Sequence, residues 1–318
     1  MRILVTGHRG GIGGAVVAHL ERLGHDVAGF DQADGDDLLD CAAVRRAAAG
    51  CAAIVHCGAL AHDTAGSPEQ IMAVNVLGTW HVLLAAEAAA VGRVVHFSSA
   101  QVFGTAGGER LPDYLPLDDR HPRRATRAYG LSKRLTEDLC AGFTARTGIA
   151  SVALRPVWVL HPAMYQVIEE RWRAEPVSEW EPYWEYGGFV DVRDVAVAVR
   201  QALTVPLTGH HRLLLCAADI AATQPSLASA ARLAPGVPIT DPAAYEREPW
   251  RALIDCSAAA RVLGWRPACT WAGRASYGAQ SLSKVAPSFW TWLMAGSWAA
   301  PLCDSTRLVK SLARAYIA

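Results

Sequence analysis

Tyr129 and Lys133 stand four residues apart in Tyr129-Gly130-Leu131-Ser132-Lys133, inside a stretch whose pattern predicts a helix over roughly 128 to 147. That spacing places a phenol and an ammonium on one helix face. A phenol has an ordinary pKa of about 10, so acting as a base near neutrality needs roughly three units of depression, or about 4 kcal/mol. A nearby ammonium and a cationic ring can supply it. Ser98 and Ser99 close a predicted strand at 93 to 98, where a hydroxyl can hydrogen-bond the substrate oxygen that Tyr129 protonates or deprotonates. Alone, a Tyr-x-x-x-Lys spacing is equally a surface pair, so the rest of the chain has to decide.

Thr6-Gly7-His8-Arg9-Gly10-Gly11-Ile12-Gly13 sets glycines at 7, 10 and 13 between a short apolar run and a helical pattern. Glycine permits the tight turn and the close backbone approach, and the helix start offers N–H groups and a positive dipole end to a pyrophosphate. Asp31 ends the next predicted strand, where a carboxylate accepts from both adenosine ribose hydroxyls and repels a 2'-phosphate, which favours NAD over NADP. Arg9 is the counter-signal, since a guanidinium in the glycine loop can pair with that phosphate and admit NADP. Asp37 and Leu38 lie where an adenine edge can be bounded, although Asp37 is equally a plain turn residue.

The elements that must position these groups are legible in the first half. Strands are expected over 2 to 6, 26 to 30, 53 to 57, 93 to 98 and 151 to 155. Asp40 can cap one helix, and Ser67-Pro68-Glu69-Gln70 carries a capping box that should open a long helix to about Ala90. Alternating strands and helices predict an α/β, doubly wound parallel sheet with its ligand crevice beyond the carboxyl ends of the strands. A dinucleotide-binding domain is expected over 1–157, with a smaller substrate-side subdomain over 158–318 interleaved with the last sheet elements. Aromatics crowd between 158 and 189, including Trp158, Trp172, Trp180 and Trp184, and suggest stacking against a substrate.

Composition closes several other routes. With 30 basic and 30 acidic residues the net charge is zero, so no field draws a nucleic acid. The 52% hydrophobic content exceeds what a disordered chain carries. Eight cysteines form no Cys-x-x-Cys pair and no zinc-like spacing, so they read as packing residues and no metal is expected. Gly7 interrupts the first apolar run too early for a signal peptide, which points to the cytoplasm. The uncharged stretch 285 to 303 is broken by Pro287, Gly296 and Pro301, so a buried or subunit-facing segment is favoured over a membrane span. A basic amphipathic helix is expected over 306 to 317, and no role is assigned to residues 268–318.

Taken together, these motifs resemble those of the extended short-chain dehydrogenase/reductase family, also called the NAD-dependent epimerase/dehydratase family. The likeness runs over about residues 1 to 267. It includes His56-Cys57-Gly58-Ala59, Asn75, Ser98 to Gly104, Leu154-Arg155-Pro156, Phe189 to Asp194 and Leu263-Gly264-Trp265-Arg266-Pro267. The resemblance implies a Rossmann-like fold, NAD as cofactor, a homodimer through the helices near 67 to 90 and 128 to 147, and a catalytic set of Ser99, Tyr129 and Lys133. Lys133 would hold the nicotinamide ribose and lower the tyrosine pKa. The cofactor would meet Gly7, Arg9, Gly10, Gly11, Ile12, Gly13, Asp31, Asp37, Leu38, Cys57, Gly58, Ala59, Asn75, Tyr129, Lys133 and Pro156. The substrate would meet Ser99, Ala100, Gln101 and Trp158.

Departures from the family pattern narrow the chemistry. Members that eliminate water tend to carry an acidic pair after the catalytic hydroxyl, whereas Ala100 and Gln101 cannot move a proton. Nucleotide-sugar enzymes usually have a phosphate-holding arginine where Gly187 stands, and the segment before Phe189 is short and rich in glutamate. Cys57 is a packing thiol or a reactive one. The run Arg120, His121, Arg123, Arg124 and Arg127 is a solvated loop or an anion holder. The expected function is an NAD-dependent oxidoreductase moving hydride between the nicotinamide and a secondary alcohol or ketone of a small polyhydroxylated, sugar-like or aromatic molecule. The alternatives are a nucleotide-sugar epimerase with tightly bound NAD, and a non-catalytic NAD-sensing protein that would not need Ser99, Tyr129 and Lys133 together.

Overall fold

A computed structural model of the chain describes residues 1–105, 108–174 and 185–274. Strand β1 (Arg2–Thr6) runs through the glycine loop into helix α1 (Gly11–Arg22) and strand β2 (Asp26–Phe30), which pairs parallel to β1. After α2 (Cys41–Ala48) the chain crosses over, and β3 (Ala53–His56) pairs parallel on the other side of β1. The winding therefore reverses between β1 and β3, which opens a crevice beyond their carboxyl ends.

Burial explains why these strands are continuous apolar runs. In β1, Ile3 and Val5 join the core on one face while Leu4 joins a second core on the other. The helices start where their caps dictate. Asp40 accepts from the N–H groups of Ala42 and Ala43 at 3.0 Å, and Ser67 and Gln70 form the expected capping box at α3 (Pro68–Ile71). That helix continues through a π-helical turn, Met72–Leu77, into α4 (Gly78–Ala88). The run Pro68–Ala88 is long and apolar enough to cross a membrane by length and composition, yet 44% of its most apolar window is buried inside the fold. Beyond β4 (Arg93–Phe97), helix α5 (Ala128–Thr147) ends at Gly148 with φ of 74°, and β5 (Ala150–Pro156) follows.

The second half keeps the alternation that its sequence hides. β6 (Trp158–Leu160) leads to α6 (Pro162–Ala174), and β6 pairs parallel with β7 (Phe189–Asp191) in a small sheet. Helix α7 (Val192–Thr204) then leads to β8 (His210–Leu215), which joins the main sheet in the order β2-β1-β3-β4-β5-β8, all parallel. α7 is densely valine and alanine, which blurs its helical period, and β8 opens with His210, His211 and Arg212, which mask a strand.

The aromatic crowd is also different from its expected role. Tyr165, Trp172 and Phe189 form a core with Trp271, whose ring lies 5.1 Å from Trp172 and 5.6 Å from Tyr165. Trp172 is therefore a packing residue, while Trp158 stays half-buried at its edge. Trp180 and Trp184 lie outside the described residues, as do Cys303, 285 to 303 and 306 to 317. Among the described residues all seven cysteines are free and no cluster fits a metal ion.

Candidate active site

The glycine loop is a cradle that side chains would fill. A Cβ on Gly13 would sit 2.0 Å from the Gly7 carbonyl, and one on Gly7, where φ is 69°, would sit 2.6 Å from the Gly58 nitrogen. Gly10 precedes α1 without any side-chain cap, so the first-turn N–H groups are offered to an anion. Gly11 faces a side chain the sequence did not point to: a Cβ there would lie 2.7 Å from Nε2 of His161, which follows β6. Ile12 is partly buried and packs against the core.

At the far end of the cradle, Asp31 accepts from the N–H groups of Arg9 at 3.0 Å and Ala33 at 2.9 Å. Asp37 accepts from the N–H of Leu39 at 2.8 Å, within its own turn. Leu38 is the better-placed member of that pair, because its side chain comes within 3.0 Å of a Cβ built on Gly58. The loop after β3 is pinned from below. Thr6 Oγ1 accepts from the Gly58 N–H at 3.2 Å and donates to Nδ1 of His56 at 2.6 Å, while His56 Nε2 meets Thr79 at 3.0 Å. Burial pushes His56 down to about 3, so it is a neutral core imidazole. Cys57 is equally inert, since burial pushes its thiol up to about 12. Ala59 is half-buried on the same loop.

Asn75 sits in the π-helical turn, fully enclosed. Its amide grips Leu60 through both backbone groups, at 2.8 and 3.0 Å, and donates to Ser132 Oγ at 3.0 Å. This ties the loop after β3 to α5. A second tie comes from Asp63, which accepts from the N–H of Tyr129 at 2.7 Å and so caps a helix whose own Arg127 supplies no side-chain cap. No local spacing announces that contact; it joins residues that only the fold brings together.

On α5, Tyr129 has its hydroxyl near enough to Ser99, at the end of β4, for the serine to favour the phenolate, and Lys133 Nζ lies 5.8 Å from the tyrosine ring centroid. Lys133 donates to the Phe97 carbonyl at 2.8 Å, which anchors it under the end of β4. The ionisation differs from the expected depression. Burial pushes Tyr129 up to about 12, with Ser99 working against it and Glu185 with it, while burial pushes Lys133 down to about 8. Of the remaining expected substrate contacts, Ala100 is fully enclosed in the core, Gln101 is half-buried, and Trp158 begins β6 just after Pro156.

Glu185 is the carboxyl that composition concealed. It is 4% exposed and pushed up to about 8 by burial, which nearby backbone N–H groups, among them that of Trp158, only partly offset. A tight turn to Gly188, closed by a 2.8 Å bond and with Tyr186 at φ of 57°, fixes it there. Gly187 has φ of 81° and packs on Ile220, so its glycine is a turn requirement. The basic run resolves into ion pairs: Arg120 with Asp118, Arg123 with Glu137 and Asp138, Arg124 with Asp113, and Arg127 with Glu109. It is a loop braced by carboxylates rather than an anion holder.

The model of the NAD dependent epimerase/dehydratase family matches residues 3–215. The chain belongs to this family. A uronate dehydrogenase of Pseudomonas syringae pv. tomato is 34% identical over 167 residues, covering 48% of this chain and 58% of that enzyme. A 2-alkyl-3-oxoalkanoate reductase of Stenotrophomonas maltophilia is 31% identical over 187 residues, covering 53% of this chain and 54% of its own length. The matches thus span little more than half of these curated relatives. A short-chain dehydrogenase/reductase superfamily structure from Agrobacterium tumefaciens with bound NAD superposes with a TM-score of 0.65 at 24% identity, covering 93% of this chain and 99% of that one. The family is NAD dependent, and the glycine cradle, uncapped α1 and Asp31 fit such a dinucleotide.

Proposed function

We propose that the chain is an NAD-dependent dehydrogenase that interconverts a secondary alcohol and a ketone, or the equivalent oxidation states at a sugar hydroxyl, on a small sugar-like molecule without a nucleotide handle. The observation that carries this reading is Tyr129 and Lys133 buried on one face of α5, with Ser99 at the end of β4 near the phenol, together with an uncapped glycine cradle at the start of α1. Bound nicotinamide supplies the hydride acceptor or donor. Around it, α1 holds the pyrophosphate, Asp31 the adenosine ribose, and Lys133 the second ribose. Tyr129 takes a proton from the substrate oxygen in oxidation and returns it in reduction, while Ser99 fixes that oxygen. Ala100 and Gln101 offer no acid or base, which disfavours dehydration. The likeness to a uronate dehydrogenase supports an unlinked sugar as substrate.

Residues 1–157 form the cofactor half of this proposal, and those from 158 onward cover the substrate. An apolar groove of Met72, Ala73, Val76, Leu77, Trp80 and Leu139, together with exposed Leu135, supports a homodimer through α4 and α5. Free thiols throughout the described chain support a reducing, cytoplasmic setting. The test is NADH formation with NAD and a panel of free aldoses, uronates and polyols. NADH accumulating with a free sugar supports the reading. Interconversion of UDP-sugar epimers with no net NADH replaces it with the epimerase.

A further inference from the structure

Arg9 projects from the glycine loop, where a guanidinium could meet a 2'-phosphate. It is already occupied. Nε of Arg9 donates to the two oxygens of Asp34 at 3.0 and 3.1 Å, and Nη2 donates to Oδ1 at 2.6 Å. Asp34 also meets Nε2 of His8 at 3.0 Å. The histidine reaches it only because position 29, the next-to-last residue of β2, is glycine: a Cβ there would lie 2.6 Å from the His8 ring. The carboxylate itself is placed by the helical turn Gln32–Asp34, which Asp31 caps through the Ala33 N–H and Gly35 closes with φ of 90°.

We infer that Asp34 is a second determinant of dinucleotide choice, acting through Arg9: it holds the guanidinium in a fork and withholds it from a 2'-phosphate. This rests on the dinucleotide reading of the glycine loop and on Asp31 at the ribose. Arg9 stays 61% exposed as a side chain, and an isolated exposed pair is weak. Selectivity comes from what a 2'-phosphate would have to undo. To recruit Arg9 it must break the fork and leave a carboxylate unpaired beside its own charge, with Asp31 on the same edge. Asp34 is thus a positioning residue, and Arg9, which on sequence argues for NADP, is neutralised by its own neighbour.

The test is calorimetric titration of the cofactor-stripped protein with NAD and with NADP, in the parent, Asp34→Ala, Arg9→Ala and the double variant. All are exposed positions outside the core. Asp34→Ala should tighten NADP about tenfold while moving NAD by less than about threefold. Arg9→Ala alone should leave NADP within about threefold of the parent, and adding it to Asp34→Ala should abolish the gain. A gain that survives loss of Arg9 would show simple repulsion by Asp34 and overturn the latch. A parent whose NADP affinity falls tenfold on Arg9→Ala would overturn it as well, as would no gain at all. A parent that binds neither dinucleotide removes the cofactor reading itself, and this inference with it.

Discussion

Glu137 lies one helical turn beyond Lys133 on the face that carries Tyr129, and nothing of its side chain is exposed. Its Oε1 accepts from Ser98 Oγ at 2.6 Å and from Arg155 Nε at 2.7 Å, and its Oε2 accepts from Arg155 Nη2 at 2.8 Å and Arg123 Nη1 at 3.2 Å. Arg212 Nε lies 3.3 Å away. Burial works against this carboxylate, but Arg155, Ser98 and Arg123 overcome it and hold it below the ordinary range. Glu137→Leu keeps the volume and removes the charge, leaving Arg155 with Asp119 at 3.2 Å as its remaining counter-ion. Breaking a buried pair from one side costs about 3 to 5 kcal/mol, which for a domain of this size lowers Tm by about 6 to 20 °C. Turnover measured well below that Tm should fall too, because α5 loses its brace to β5 and Lys133 its fixed place under Phe97. Adding Arg155→Met should restore much of the stability, since only Asp119 then stays buried, and burial already pushes it to about 6, close enough to neutral pH to take a proton. Thermal unfolding of both variants decides it. A single variant within about 1 kcal/mol of the parent, or a double variant no better than the single, refutes the reasoning.

Three further outcomes follow from the site. Tyr129→Phe should cut NADH formation by about 10²- to 10⁴-fold and leave NAD affinity nearly unchanged; turnover within about tenfold of the parent would remove the tyrosine from its role. Gly13→Ala forces a methyl to within 2.0 Å of the Gly7 carbonyl, so NAD binding by titration should be lost while the fold survives. Burial raises the Glu185 carboxyl from 4.5 to about 8, so its contribution to stability is complete below the ordinary value and is lost as pH rises through about 8; Glu185→Gln should flatten the decline of Tm across that window.

Local signals carried much of this structure. The capping box at Ser67, the Asp40 cap and the Gly148 stop of α5 follow from residues within a turn of where they act, and so were readable. Asp63 and Asn75 were different. One caps α5 from 66 positions away, and the other works from a π-helical turn with no sequence signature of its own. Glu185 was hidden by company: a run of glutamates reads as solvated, and only the turn at Tyr186 and Gly187 turns this one inward. The tryptophans misled in the same way, because the ring that completes their core, Trp271, lies far along the chain from Trp172.

Burial sets the two central ionisations in opposite directions, and that bears on how the site works. It raises Tyr129 to about 12 and lowers Lys133 to about 8. Before cofactor binds, the phenol is therefore a proton donor, suited to reduction, and the lysine holds its positive charge only weakly near neutrality. Ser99 favours the phenolate but does not overcome burial, while Asp63, and Glu185 once it ionises above about 8, oppose it. The positive charge that oxidation requires near Tyr129 is thus not supplied by Lys133 alone, as the sequence suggested. On the proposed function, the oxidised nicotinamide ring would supply it. A dry pocket thus keeps Tyr129 protonated in the free protein, so a pH profile of alcohol oxidation that tracks an ordinary free phenol rather than one lowered by bound cofactor would overturn this account.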